Sequence, residues 1–131
     1  MGEWSGSGTA IASIGMSGVA PGYQQPVPLA LDSSADPVAM YAQSVVRGAA
    51  TPEYSPFEES GTTQGSLAMS GDVAWLAYSH AGQLEVAHAA LGGYWSRALL
   101  GPVDDAHTGV AIDGAGIARV CFFRGGKLML Y

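Results

Sequence analysis

The sequence contains three approximate copies of one pattern, and this internal repeat limits the possible folds more than any other feature. The segment "SLAMSGDVAWLAYSHAGQLEVAHA" (66–89) aligns with "GVAIDGAGIARVCFFRGGKLMLY" (109–131), at an offset of 43 residues that becomes 44 after one adjustment. An earlier copy begins with "LALDSSADPVAMYA" (29–42), which places Tyr41 on Tyr78. Three matches whose turn residues are in phase indicate a true repeat.

Each copy consists of short apolar segments separated by Asp-Gly, Ser-Gly-Asp, Ala-Gly or Gly-Gly, which are typical of hairpin turns. No segment keeps a helical stripe for more than two turns, so we predict an all-β fold. The predicted strands are 29–32, 37–43, 66–70, 73–79, 83–89, 94–100, 109–113, 117–123 and 127–131. Four short antiparallel strands in about 40–45 residues are typical of a β-propeller blade. The inner strands are expected to place these residues in the core: Leu29, Leu31, Leu67, Met69, Val110 and Ile112.

The two ends of the chain suggest how the propeller is completed. The sequence stops after the third strand of a repeat, whereas Trp4 near the start matches Trp95, a fourth-strand position. We therefore predict that the strand with Trp4 pairs with 128–131, in a single half-propeller domain, 1–131. The repeats are approximately 5–54, 55–95 and 96–131 plus 1–4. Propellers need about four to eight blades, so three four-stranded blades predict a homodimer with a six-bladed ring.

Composition excludes several classes of protein. With 48% hydrophobic and 12% charged residues in 131 positions, the chain is expected to form about one folded domain rather than to be disordered. No apolar run reaches the length of a membrane-spanning helix, and no secretory signal is visible, which leaves the localisation open. Cys121 has no cysteine with which to form an internal disulfide and is expected to be a core thiol. The net charge of −6 argues against a nucleic-acid partner.

The repeats resemble those of bacterial β-propeller proteins of the sialidase-like and lectin-like kind. The resemblance rests on "YWSRALLGPVDDAHTGVAIDGAGIARVCFF" and "EYSPFEESGTTQGSLAMSGDVAWLAYSHAGQLEVAHA" and covers nearly the whole sequence. It implies the propeller fold. It does not imply sialidase chemistry, because the strict Asp-box, the arginine triad and the nucleophilic tyrosine with its glutamate are not matched.

Metal-ligand patterns are weak in this sequence. Asp104, Asp105 and His107 lie close together in "DDAHTG", where oxygen and imidazole groups could hold a cation. We interpret this segment instead as a polar loop whose side chains cap turn amides. His80 and His88 have no second ligand at a metal-binding spacing. We therefore assign no metal and no cofactor from the sequence.

Catalytic patterns are equally weak. Glu53, Glu58 and Glu59 cluster near Tyr54, and a pair of carboxylates can hydrolyse glycosides. The cluster is interpreted as an exposed acidic loop, since there is also no nucleophile elbow and no phosphate-binding loop with its lysine. No catalytic residue is assigned, and a non-enzyme is favoured over an enzyme.

Aromatic residues at equivalent repeat positions are the candidate binding residues. Trp4, Tyr54 and Trp95 share one position, and Trp75 and Arg119 share another. Aromatic faces stack on sugars, so these residues predict a non-catalytic module that recognises glycans or a cell surface. Packing of one blade against the next is the alternative role for the aromatics. The alternative functions are a structural scaffold, for example of a virion or appendage, and a divergent glycoside hydrolase.

Overall fold

The computed structural model describes residues 27–41, 43–48, 51–58, 64–104 and 107–131, which form strands and no helix. The prediction of an all-β fold is confirmed. The strands are β1 (Leu29–Leu31), β2 (Pro37–Tyr41), β3 (Ser44–Arg47), β4 (Glu53–Pro56), β5 (Gln64–Ser70), β6 (Val73–His80), β7 (Gln83–Ala90), β8 (Ser96–Pro102), β9 (Thr108–Ile112), β10 (Ala118–Arg124) and β11 (Lys127–Leu130). The described residues therefore contain no helix that is long and apolar enough to cross a membrane.

The strands form three antiparallel sheets in which sequence neighbours pair. The first sheet has the order β1-β2-β3-β4, the second β5-β6-β7-β8, and the third β9-β10-β11. Each of the nine predicted segments overlaps an observed strand, whereas β3 and β4 were not predicted. Both are four residues long, and β4 includes Pro56, so neither shows the alternating pattern on which the prediction relied.

The first two strands of each sheet pair in the same register. Ala30 lies opposite Val38, Ala68 opposite Trp75, and Ala111 opposite Arg119. Residues that lie opposite each other project from the same face of a sheet. Corresponding residues in the three sheets therefore face corresponding directions.

The second sheet lies between the other two, because β5 contacts β1 on one side and β9 on the other. One apolar core lies between the first and second sheets and contains Val38, Met40, Val45, Phe57, Leu76, Tyr78 and Ala87. The other lies between the second and third sheets and contains Ala77, Leu84, Val120 and Phe122. The alternation of side chains along β6 thus supplies both cores from one strand.

The prediction that six inner-strand residues lie in the core is partly wrong. Leu29 and Leu31 are 64% and 59% exposed, because no described sheet covers the outer face of the first sheet. The equivalent residues of β5, Leu67 and Met69, are half-buried against the first core. Val110 is half-buried against the second core, and Ile112 is half-buried. Cys121 is also only half-buried, since it projects from the outer face of the third sheet.

Candidate functional site

Trp75 forms a partly exposed aromatic platform with two neighbours. It lies opposite His88, and the two rings stack with their centroids 4.3 Å apart at an interplanar angle of 16°. His88 in turn lies opposite Ser96 on β8. Trp75 and His88 are half-buried and Ser96 is exposed, all on the face of the second sheet that is directed toward the third. We call Trp75, His88 and Ser96 the Trp75 platform.

Trp95 has a different environment, although the sequence suggested a related role. Its indole N–H donates a hydrogen bond of 3.2 Å to Ser55 Oγ, and its ring meets that of Phe57 edge-on at 5.8 Å. Trp95 therefore bridges the second sheet and the first. Tyr54 is 54% exposed and, as the neighbour of Ser55 on β4, projects from the opposite face. The two aromatic residues do not share a pocket.

Arg119 occupies the register position of Trp75 but lies on the third sheet, on the face directed away from the second. Its guanidinium donates two hydrogen bonds to Asp113 Oδ2, at 3.2 and 3.1 Å. The amides of Ile117 and Ala115, together with Arg119, lower the pKa of the Asp113 carboxyl. Of the five residues predicted to bind ligand, Trp4 lies outside the described residues, and the other four occupy separate places.

A cluster of polar side chains, which sequence reasoning missed, lies between the first and second sheets. The hydroxyl of Tyr78 donates to Glu58 Oε1 at 2.9 Å and lies 3.2 Å from Glu85 Oε2. Arg97 donates to the same Glu58 oxygen at 2.7 Å. His80 Nδ1 lies 3.7 Å from Glu58 Oε1 and 3.6 Å from Glu85 Oε1. We call Glu58, Tyr78, His80, Glu85 and Arg97 the carboxylate cluster.

Burial and charge shift the titration of two members of this cluster. Tyr78 is fully buried, and burial followed by the nearby Glu58 carboxylate raises the pKa of its hydroxyl. Burial disfavours the charged form of Glu58, but the hydrogen bonds from Arg97 and Tyr78 outweigh this effect and lower the pKa of its carboxyl. Tyr78 is therefore a neutral donor and Glu58 a charged acceptor at neutral pH.

Local structure explains how these side chains meet. Ala81 and Gly82 form the turn between β6 and β7 with φ angles of 50° and 74°, as a tight type I′ hairpin requires. This turn places Tyr78 opposite Glu85. Glu58 comes from the first sheet's side of the contact, two residues beyond β4. The hairpin register was the one signal in the sequence that could have indicated the Tyr78–Glu85 contact.

Of the acidic residues considered for hydrolysis, the structure describes Glu53 and Glu58, which lie toward opposite ends of β4. Glu53 begins β4 and Glu58 lies two residues beyond its end, so the strand itself, about 10 Å long, separates them. A glycosidase needs two carboxyl groups about 5–9.5 Å apart around an open cleft. Glu59 lies outside the described residues.

The side chain of Asp104 caps the amides of a turn, as its sequence suggested. The carboxylate of Asp104 accepts hydrogen bonds from the amides of Gly125 and Gly126, at 2.8 and 2.7 Å. This contact ties the connection after β8 to the turn between β10 and β11. Asp105 lies outside the described residues, and His107 is exposed.

A second polar contact joins the first two sheets at the opposite ends of their strands. Asp32 is buried, accepts hydrogen bonds from the amides of Ser34 and Asp36 at 2.8 and 2.9 Å, and forms an ion pair with Arg47. Ser33 donates a hydrogen bond of 2.6 Å to Asp72, which follows β5. These groups fix a turn and join two sheets, so we assign them a structural role.

Comparison of the chain with protein-family models, with curated proteins and with solved structures found no match.

Proposed function

We propose that this chain is a non-catalytic β-propeller module that recognises glycans, with the Trp75 platform as a binding surface. The stacking of Trp75 on His88 carries this proposal. The imidazole packs against the indole and orients it, and both rings keep part of their surface in solvent. Sugars present flat C–H faces to such rings, and the exposed hydroxyl of Ser96 lies beside them to bond a sugar hydroxyl.

The order of the sheets supports the propeller arrangement. The first strands of the three sheets, β1, β5 and β9, are neighbours in space, and each sheet packs one face on the next. This is how propeller blades are arranged around a central axis. We propose that each sheet is one blade.

The outer face of the third sheet supports assembly with a second copy of the chain. Cys121, Leu128 and Leu130 occupy the register positions that Ala77, Leu84 and Val86 occupy in the second sheet. The latter three pack against the third sheet, whereas Leu128 and Leu130 are 66% and 77% exposed. This face is therefore built to receive a further sheet.

The outer face of the first sheet is the complementary surface. Leu29 and Leu31 are exposed there, although their equivalents Leu67 and Met69 pack against a preceding sheet. A second copy offers the missing neighbour for both faces at once, as a head-to-tail contact made twice around a two-fold axis. We propose a homodimer with a six-bladed ring; the predicted pairing of the strand that contains Trp4 with β11 falls outside the described residues.

A glycan array followed by titration of the strongest ligand tests the binding proposal. Trp75→Ala should reduce affinity at least about tenfold, because a stacked aromatic in a binding site contributes about 1.5 kcal/mol or more. Tyr94→Ala is the matched control, since Tyr94 is fully exposed and makes no ring contact with the described residues. Absence of binding on the array, or equal loss in both variants, would refute the Trp75 platform as a glycan site.

Light scattering tests the assembly proposal. The parent should be a dimer at micromolar concentration, and Leu128→Lys should dissociate it, because the lysine would place a charge on the apolar contact. Tyr94→Lys, with the same new charge in the exposed connection between β7 and β8, should remain a dimer. A monomeric parent contradicts the ring. A stable dimer that binds no glycan favours the scaffold function, and activity in a glycosidase screen favours the hydrolase.

A further inference from the structure

The carboxylate cluster has an arrangement that hydrogen bonding alone does not explain. His80 Nδ1 points at two carboxylate oxygens, yet its distances of 3.6 and 3.7 Å are too long for hydrogen bonds. One ligand atom from each of Glu58, His80 and Glu85 lies within 4.8 Å of the other two. In a tetrahedral zinc site with bonds of about 2.0–2.1 Å, neighbouring ligand atoms lie about 3.4 Å apart. The spacing around His80 is close to that value.

We infer that Glu58, His80 and Glu85 form a binding site for a divalent transition-metal ion, of which Zn²⁺ is the best match. Two carboxylates and one imidazole are zinc ligands, and three protein ligands leave a fourth position for water. Imidazole argues against Ca²⁺ and Mg²⁺, which prefer oxygen ligands. The inference does not depend on glycan binding, since the Trp75 platform lies on the other face of the second sheet.

The neighbours of these three residues fit the role of supporting groups. Metal-ligating carboxylates are usually held by hydrogen bonds from outside the site, which orient them before the ion binds. Here Tyr78 contacts both carboxylates and Arg97 holds Glu58. Because these bonds come from the second sheet and Glu58 comes from the first, a bound ion would join the two sheets.

Charge and access are consistent with a cation at this position. Glu58 and Glu85 carry two negative charges, and Arg97 supplies one positive charge, so the cluster has an excess of one negative charge beside His80. The side chains of Glu58 and Glu85 are 8% and 19% exposed, and that of His80 is 25% exposed. Glu58 is thus largely shielded from water, while Glu85 and His80 each keep part of their side chain accessible to an ion from solvent.

Isothermal titration calorimetry with zinc sulfate tests this inference on EDTA-treated protein at neutral pH. The parent should bind one ion per chain, and His80→Gln and Glu85→Gln should each weaken binding at least about tenfold. His107→Gln is the matched control and should bind zinc as the parent does, because His107 is exposed directly before β9, outside the carboxylate cluster. No binding by the parent, or the same affinity in His80→Gln, overturns the site.

A second measurement needs no variant in the cluster and so avoids any effect of substitution on folding. Nuclear magnetic resonance of the imidazole nitrogens distinguishes the three histidines of the chain. One equivalent of zinc should shift Nδ1 of His80 and leave His88 and His107 unchanged. Shifts confined to His88 or His107, or none at all, overturn the inference.

Discussion

Removal of one buried oxygen atom tests the account of the carboxylate cluster most directly. In Tyr78→Phe the ring keeps its place in the first core, where it packs 4.9 Å from Phe57. The equivalent residue of the third sheet is Phe122, so this position of the repeat accepts a phenylalanine ring. The variant loses only the hydroxyl, which contacts Glu58 and Glu85 at 2.9 and 3.2 Å.

The expected loss of unfolding free energy depends on which hydrogen bonds the two carboxylates keep in the variant. Glu58 keeps the hydrogen bond from Arg97, whereas Glu85 loses its contact with a hydroxyl donor. A hydrogen bond to a charged group contributes about 1.5–3 kcal/mol, so the variant should lose about 2–3 kcal/mol of unfolding free energy. For a domain of this size that corresponds to a fall in Tm of roughly 6–12 °C.

Urea denaturation followed by circular dichroism measures this difference, with Tyr94→Phe as the control. Tyr94 is fully exposed, so loss of its hydroxyl should leave stability unchanged.

The raised pKa of Tyr78 adds a pH test. Its stabilisation is complete below the ordinary tyrosine pKa of about 10 and declines above it by up to about 1.4 kcal/mol per pH unit. The difference between parent and variant should therefore narrow in alkali. A Tyr78→Phe protein as stable as the parent at neutral pH, or a difference that persists in alkali, would refute the reasoning.

Three further substitutions test other parts of the structure. Glu58→Gln should make the unfolding free energy depend less on pH in acid. The lowered pKa of Glu58 stabilises the parent above the ordinary value of 4.5, and this contribution is lost as the pH falls through the lowered pKa. The same loss of stability in acid for parent and variant would contradict the assignment. Gly65→Ala should lower the unfolding free energy, measured by urea denaturation, by about 1–3 kcal/mol, because the new Cβ would clash with the backbone oxygen of Ala77. Gly114→Ala is the control and should be tolerated, because the space around Gly114 is open. Equal stability of the two variants would argue against the close contact between β5 and β6 at Gly65. Leu84→Ala should cost about 2–5 kcal/mol because Leu84 is fully buried between the second and third sheets, and a change below about 1 kcal/mol would show that the contact is not tightly packed.

The sequence predicted the fold class and most strands because turn chemistry and alternation are local signals. The turn at Ala81 and Gly82, for example, needs only the residues beside it to define a hairpin. The exposure of Leu29 and Leu31 could not be predicted in the same way. Their burial depends on whether a neighbouring sheet covers them, which no local pattern encodes.

The candidate sites were predicted less well for a related reason. Equivalent repeat positions identified Trp75 and Trp95 as unusual, yet only the structure shows that one is a half-exposed platform and the other bridges two sheets. The carboxylate cluster combines Glu58 with Tyr78, which are 20 residues apart and belong to different sheets. Such a contact depends on how sheets pack, so the sequence indicated only an acidic loop at Glu58 and a repeat position at Tyr78.

The position of the second sheet between two apolar cores determines which strands are expected to unfold locally first. In a linear array of repeats, stability is approximately the sum of each unit and its contacts with nearest neighbours. The second sheet has two such contacts in the described chain, and the first and third sheets have one each. Amide hydrogens of β6 and β7 should therefore exchange with solvent most slowly, whereas β11 at the edge of the third sheet should exchange early. Docking of another sheet on either outer face would reduce the difference in exchange rate between the second sheet and the outer sheets. Exchange rates therefore report on assembly as well as on folding.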